Sequence, residues 1–215
     1  MYDTLLQLPL FQGMTKQNFD ALLMKLKLNF IKYKAGTKFI EAGSACTDFV
    51  FLINGSVVSS RESAVAGFVY KEVIGAPFLL EPFAMFGVSA TFNHDYYAQT
   101  DISVLLIDKQ YVYSELNKYD ICGMNLLNML SGKAQVVDRF IWSRKEFTLR
   151  ERIIRFVKGL SELQYGEKYL QIKMNTLAGL MDTTRLEVSN ELNDMAGSGL
   201  IVLKGKEIYV PDMTK

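Results

Sequence analysis

Met174–Pro211, MNTLAGLMDTTRLEVSNELNDMAGSGLIVLKGKEIYVP, is the stretch that decides the fold. Leu177, Ala178 and Leu180 give a first short helix an inward face, and the small Ala178 lets a second helix cross closely. Met181-Asp182-Thr183 is the turn, with Asp182 where a left-handed residue is needed; Asp tolerates that conformation better than most residues do. Thr184 and Glu187 have the spacing of a capping box, which starts a second helix. Val188, Leu192 and Met195 recur at steps of 4 and 3 and hold that helix on a core. Gly197 and Gly199 end it, and Leu200–Leu203 and Glu207–Val210 flank Lys204-Gly205-Lys206 as a two-stranded hairpin.

Helix, tight turn, helix and hairpin in that order make a winged helix-turn-helix, which lays one helix in the major groove of DNA. Thr183, Thr184, Arg185, Ser189, Asn190 and Asn193 fall on or beside an outward stripe of the second helix, and Lys204 and Lys206 tip the wing. A guanidinium reads guanine bidentately, and Asn and Ser hydrogen-bond base edges or phosphates. A helical hairpin packed on a small sheet for structural reasons alone accounts for any one element, but not for the ordered set. Glu187, Glu191 and Asp194 share the second helix and would repel phosphate, so they are expected on the side turned away from DNA.

Thr184–Asn190, followed by GSGLIVLKGKEIYVPD, resembles the C-terminal domain of CRP/FNR-type bacterial transcription regulators. Their recognition helix carries Arg-Glu-x-Val-Ser-Arg or a variant of it. Arg185, Val188 and Ser189 match, Leu186 stands for the usual Glu, and Asn190 for the usual Arg. The resemblance implies DNA binding at a half-site unlike that of the best-known members. It continues upstream. LPLFQGMTKQNFDALL is similar to the opening helical segment, with Thr15 as a cap and Phe19, Leu22, Leu23 and Leu26 on one face. KAGTKFIEAGSACTDFVFLINGSVVSS resembles the Gly-punctuated strands of the sensor, Thr37–Ile40, Phe49–Ile53 and Val57–Ser60, and a further strand is expected over Ser103–Asp108. The expected architecture is α+β: a β-roll sensor over 1–118, a dimerisation helix over 119–146 and a winged helix-turn-helix over 147–215.

The connector carries its own signal. Leu127, Leu130, Ala134, Val137 and Ile141 repeat at the step of a coiled-coil seam, with Leu126, Met129, Val136 and Phe140 on a neighbouring stripe. A helix with two stripes packs on its own domain and on a partner; a single wide stripe in a monomer is the other reading. The resemblance implies a homodimer along this helix, which suits a palindromic operator on double-stranded DNA.

For the sensor, the resemblance supplies a Phe-Gly-Glu motif and an Arg followed by Ser or Thr as the mark of members that bind cyclic nucleotides. Here Phe86-Gly87 precedes Val88, and no Lys or Arg occurs between Lys71 and Lys109. A buried phosphate without a cation is costly, so cyclic AMP is not the expected ligand. Phe83, Phe86, Phe92, Tyr96 and Tyr97 are candidate walls of an effector pocket, or they fill the roll themselves. His94, the lone histidine, is expected in a surface loop beside Asp95.

Composition limits the remaining classes. Cys46 and Cys122 form neither a disulfide framework nor a metal-ligand cluster, and are expected as buried thiols in a reducing cytoplasm; no metal or other cofactor is expected, and an iron–sulfur cluster lacks its ligands. No apolar run reaches the length of a membrane span. No Ser-His-acid set, paired carboxylates or Gly-rich phosphate loop supports an enzyme. Net charge is only +1, and the segment after Trp142 holds 12 basic and 10 acidic residues, so non-specific DNA affinity should be modest and salt-sensitive. Arg150, Arg152 and Arg155 lie on an amphipathic helix, touching phosphate, the partner domain or solvent. The reading is a sequence-specific regulator with RNA polymerase and a small-molecule effector as further partners. The alternative is a ligand-binding or protein-interaction module that has lost specific DNA binding.

Overall fold

The computed structural model describes residues 5–25, 28–116, 118–141 and 147–213. The chain divides into two compact units, Met1–Val58 with Ile74–Ala134, and Ser59–Val73 with Gln135–Lys215.

In the first unit, Thr15 caps helix α1, Lys16–Leu23, by accepting from the Asn18 amide, and Phe19 and Leu22 are buried. Leu23 is half-buried, and Leu26 lies outside the described residues. The strands between residues 29 and 108, of which β4 and β5 run largely in the second unit, are β1, Asn29–Tyr33; β2, Lys38–Ile40; β3, Asp48–Asn54; β4, Ser56–Ser63; β5, Phe68–Gly75; β6, Phe78–Leu80; β7, Asp95–Ala98; and β8, Ile102–Asp108. One antiparallel sheet has the order β1-β8-β3-β6, with Val50 opposite Leu106; a second run has the order β4-β7-β2. Phe11 stacks on Phe51 at 5.8 Å and meets Phe19 edge-on at 5.2 Å, so the opening segment is pinned to β3 by rings. Gly55 makes the β3–β4 turn at φ +84°, and a Cβ there would lie 2.6 Å from the Asp101 carbonyl oxygen; only glycine fits.

Helix α2, Asp120–Ile141, begins one residue after its expected start. At 22 residues it is about 33 Å long. The Asn125 amide donates to the carbonyls of Leu10 and Gln12 at 3.2 and 2.8 Å, tying the helix to the opening segment. The expected continuation through 142–146 lies outside the described residues.

The second unit holds helices α3, Leu149–Leu160; α4, Met174–Leu180; and α5, Arg185–Gly197, with strands β9, Lys168–Gln171; β10, Val202–Lys204; and β11, Glu207–Val210. Its sheet has the order β10-β11-β9-β5-β4. Ile153, Phe156, Leu170, Leu177, Val188, Leu192, Met195 and Ile208 share one core.

Residues 59–73, which the sequence places among the sensor strands, cluster with the C-terminal unit, because β5 pairs with β9 from Val69 opposite Gln171 to Glu72 opposite Lys168. Tyr70 enters the C-terminal core, and Phe68 meets Phe156 edge-on at 5.5 Å. The Ser161 hydroxyl donates to the Val157 carbonyl, so the Tyr70 hydroxyl is the donor in its 2.6 Å contact with Ser161. Beneath these lies a fully buried ion pair, Lys168 Nζ to Glu72 Oε1 at 3.0 Å.

Candidate nucleic-acid interface

The turn between α4 and α5 is built as its residues require. Asp182 takes φ +48°, the Thr183 amide reaches back to the Ala178 carbonyl, and the Asp182 amide to that of Gly179. These two bonds satisfy the carbonyls at the end of α4 and stop it within one residue. α5 then begins on a complete capping box: Thr184 Oγ1 accepts from the Glu187 amide while the Glu187 carboxylate accepts from the Thr184 amide. α5 ends on Gly199 at φ +76°, with the Leu200 amide bonded to the Met195 carbonyl.

Val188, Leu192 and Met195 are the buried face of α5. Arg185, Leu186, Asn190 and Asn193 are exposed, and Ser189 is half-buried at the margin. Lys204 and Lys206 are exposed on the β10–β11 hairpin, whose tip turns at Gly205 with φ +62°. Lys204 also lies 4.9 Å above the Tyr209 ring. Leu203 and Ile208 anchor the hairpin to the same core as α5.

Two of the three acidic side chains on α5 are engaged. Glu187 Oε2 accepts from Thr183 Oγ1 at 2.5 Å, the Thr184 amide at 3.0 Å and Thr184 Oγ1 at 2.8 Å, and these donors bring its pKa down to about 2. Glu191 is turned towards α3, where Arg150 Nε donates to Oε1 at 2.6 Å. Asp194 stays exposed. The same bonds commit the hydroxyl protons of Thr183 and Thr184 to Glu187, so in this arrangement neither hydroxyl donates to a phosphate.

The basic face of α3 differs from expectation. Arg150 ties to α5, Arg152 Nη1 donates to the Met181 carbonyl, and the Arg155 guanidinium lies 3.6 Å over the Phe147 ring. Arg150 and Arg152 thus tie α3 to α5 and to the end of α4, whereas Arg155 stays exposed. Arg150 and Glu191 stand 41 residues apart, a pairing for which the sequence carries no periodic sign.

The first unit revises the sensor expectations. His94 is buried, not in a surface loop, and its partner is Glu81 rather than Asp95. Glu81 Oε1 accepts from His94 N at 3.0 Å, His94 Nδ1 at 2.7 Å and the Tyr96 hydroxyl at 3.2 Å. Oε2 accepts from Asn93 N at 2.8 Å and Asn93 Nδ2 at 3.1 Å. Burial alone would raise the Glu81 pKa, but the hydrogen bond and charge of His94 with both Asn93 donors pull it below the usual value. The five candidate pocket aromatics are dispersed. Phe92 lines a cavity of about 370 Å³ with Tyr33, Phe39, Val50 and Val104. Tyr96 is buried on Glu81, and Tyr97 lies under Lys38. Phe86 sits under Lys109, and Phe83 under Lys133. Burial pushes the Cys46 thiol up to about 12 and the Cys122 thiol up to about 11, so both are poor nucleophiles.

On α2, Leu127 is 58% exposed and Val137 is 41% exposed; Ala134 is exposed and Leu130 half-buried. Leu126, Met129 and Val136 are half-buried, whereas the side chains of Phe140 and Ile141 lie outside the described residues.

No protein-family model matches the chain, and no curated protein sequence matches it. Among solved structures, the catabolite activator protein of Thermus thermophilus is similar over 94% of this chain and 93% of its own, at 18% identity and a TM-score of 0.52. The sensor domain of the transcriptional regulator DNR from Pseudomonas aeruginosa is similar over 62% of this chain and 92% of its own, at 17% identity and a TM-score of 0.51. A transcriptional regulator from Thermotoga maritima is similar over 58% of this chain and 98% of its own, at 19% identity and a TM-score of 0.50. At such identities the likeness is one of fold: an α+β chain with an antiparallel β-roll of the kind found in CRP/FNR-type regulators.

Proposed function

We propose that the chain is a cytoplasmic, homodimeric, sequence-specific DNA-binding transcription regulator of the CRP/FNR type, with α4, α5 and the β10–β11 hairpin as its winged helix-turn-helix. The exposed edge of α5 carries the reading: Arg185, Asn190 and Asn193 stand free of the core while Glu187 and Glu191 are engaged elsewhere. The apolar residues left exposed along α2 support a partner helix, and two recognition helices related by a twofold suit a palindrome. RNA polymerase and a small-molecule effector are the further partners of this reading. The first unit does not favour cyclic AMP: all five donors around Glu81 are protein groups, so its lone pairs are taken, and no Lys or Arg falls between Lys71 and Lys109 to meet a phosphate. No catalytic role is assigned to any residue, and the structurally similar proteins above are regulators by name.

Selection from a random duplex pool by the full chain tests the reading, and the absence of any enriched sequence would refute it. On the selected duplex, Arg185→Ala should weaken binding by about 1–3 kcal/mol, the loss expected for a bidentate base contact. Equal binding by the variant would show that Arg185 reads no base. Replacing Lys204 and Lys206 with Ala should instead weaken selected and unrelated duplexes alike and reduce the dependence of log K on log salt by about two. A loss confined to the selected duplex would argue against phosphate contacts by the wing.

Asp182, Glu187 and Asp194, all exposed, favour the second reading, a ligand-binding or protein-interaction module without specific DNA binding. A gel shift on the upstream region of its own gene separates the two.

A further inference from the structure

We propose that Leu186 is a specificity-determining residue that packs on the C5-methyl group of a thymine in the major groove. The inference rests on the DNA-binding reading and deepens it. The inward face of α5 is complete without Leu186, because Val188, Leu192 and Met195 supply it. Leu186 falls on the opposite edge, in one row with Asn190, Asn193 and Gly197 at steps of 4, 3 and 4 residues. It is 70% exposed, so folding gains little from it.

Its position selects the occupant. Leu186 lies in the first turn of α5, and the N-terminal residues of a recognition helix are the ones that meet base edges. Helical side chains also lean towards the N-terminus, which carries the leucine forward over Arg185. The thymine methyl is the apolar group that the major-groove edge of a base pair offers, and a leucine has no hydrogen bond to give any other base. A carboxylate at this position would instead accept from cytosine N4, so the leucine selects for T·A over C·G. Asn190, one turn further along the row, is suited to the N6 and N7 atoms of an adenine, and the edge as a whole favours A·T pairs beside the guanine of Arg185. A protein partner is the competing occupant, but the row on either side of Leu186 is polar, whereas such partners cover contiguous apolar patches.

The test uses the full chain and the duplex it selects from a random pool, with each thymine replaced in turn by deoxyuridine, which lacks only the methyl. Wild type should lose about fourfold in affinity per half-site at one thymine, the value of one buried methylene-sized group. Leu186→Ala should bind the thymine and deoxyuridine duplexes equally, and melt with the wild type because the side chain is exposed. Leu186→Glu should enrich cytosine at that position in a fresh selection. Indifference of the wild type to deoxyuridine everywhere, or a methyl preference that survives in Leu186→Ala, overturns the assignment while leaving DNA binding intact. If the wild type enriches no sequence, the DNA-binding reading fails and takes this one with it.

Discussion

Lys168→Met should cost the C-terminal unit about 3–5 kcal/mol, because it removes one partner from a buried ion pair and leaves the other charge unneutralised. Lys168 and Glu72 are both fully buried, and every group on each is used. The ammonium donates to Glu72 Oε1, to the Tyr165 carbonyl at 2.6 Å and to the Gly166 carbonyl at 3.1 Å. The carboxylate also accepts from the amides of Glu162 at 2.8 Å and Leu163 at 2.9 Å. With the lysine gone, Glu72 keeps two amide donors and loses its counter-charge in a site water does not reach. The pair joins β5 to β9 and to the loop after α3, so amides of Phe68–Glu72 should lose hydrogen-exchange protection together with those of Lys168–Gln171. The double variant Glu72→Leu with Lys168→Met should lose less than the two single losses added, since neither charge is then left alone. Urea unfolding measures all three. A Lys168→Met loss under about 1 kcal/mol would mean that the carboxylate finds other donors once the lysine is gone, and that the pair is not what fixes β5 to β9.

The contrast between that pair and α5 shows which parts of this fold are written locally. Thr184, Glu187, Asp182 and the row Val188, Leu192, Met195 all act within one or two helical turns, and each takes the conformation its chemistry requires. The strands with alternating or Gly-bounded patterns, β2, β3 and β8, were legible for the same reason. β9 was not: KYLQ is four residues long, and its first residue is a buried lysine, which reverses the expected pattern. β5 carries Lys71 and Glu72 at its centre and looks like a solvated edge until β9 is brought beside it. The partner lies almost 100 residues away, and nothing in either segment names the other. His94 misled in a similar way. Its neighbour Asp95 suggests a loop, but the group it meets is a glutamate 13 residues earlier, directly after β6. The scattered aromatics make the same point: residue type showed that the sensor interior is ring-rich, while the dispersal of Phe83, Phe86, Phe92, Tyr96 and Tyr97 depends on topology.

Glu81→Gln should destabilise the first unit by about 3–5 kcal/mol at neutral pH, again the cost of breaking a buried, fully hydrogen-bonded charge. The amide cannot reproduce the carboxylate. One of its two ends carries N–H groups, and those would face Asn93 N and Asn93 Nδ2, or His94 N, His94 Nδ1 and the Tyr96 hydroxyl, which are all donors. The backbone adds to the loss. Glu81 stands at φ +39°, a left-handed conformation that costs a side-chain-bearing residue of order 1–3 kcal/mol and persists where its surroundings over-determine it. The five donors are what over-determine it here. The pH dependence follows from the sign of the shift. The folded-state pKa of Glu81 lies below its ordinary value, so its contribution is complete above the unfolded pKa of about 4.3 and is lost as pH falls through the lower folded value. Wild type and Glu81→Gln should therefore differ by a constant amount from pH 7 to pH 5, and the two stability curves should converge as the pH drops below about 4. Curves that stay parallel down to pH 3 would show that the pKa of Glu81 is the same in the folded and unfolded chain, and that its five donors do not favour the carboxylate over the neutral acid.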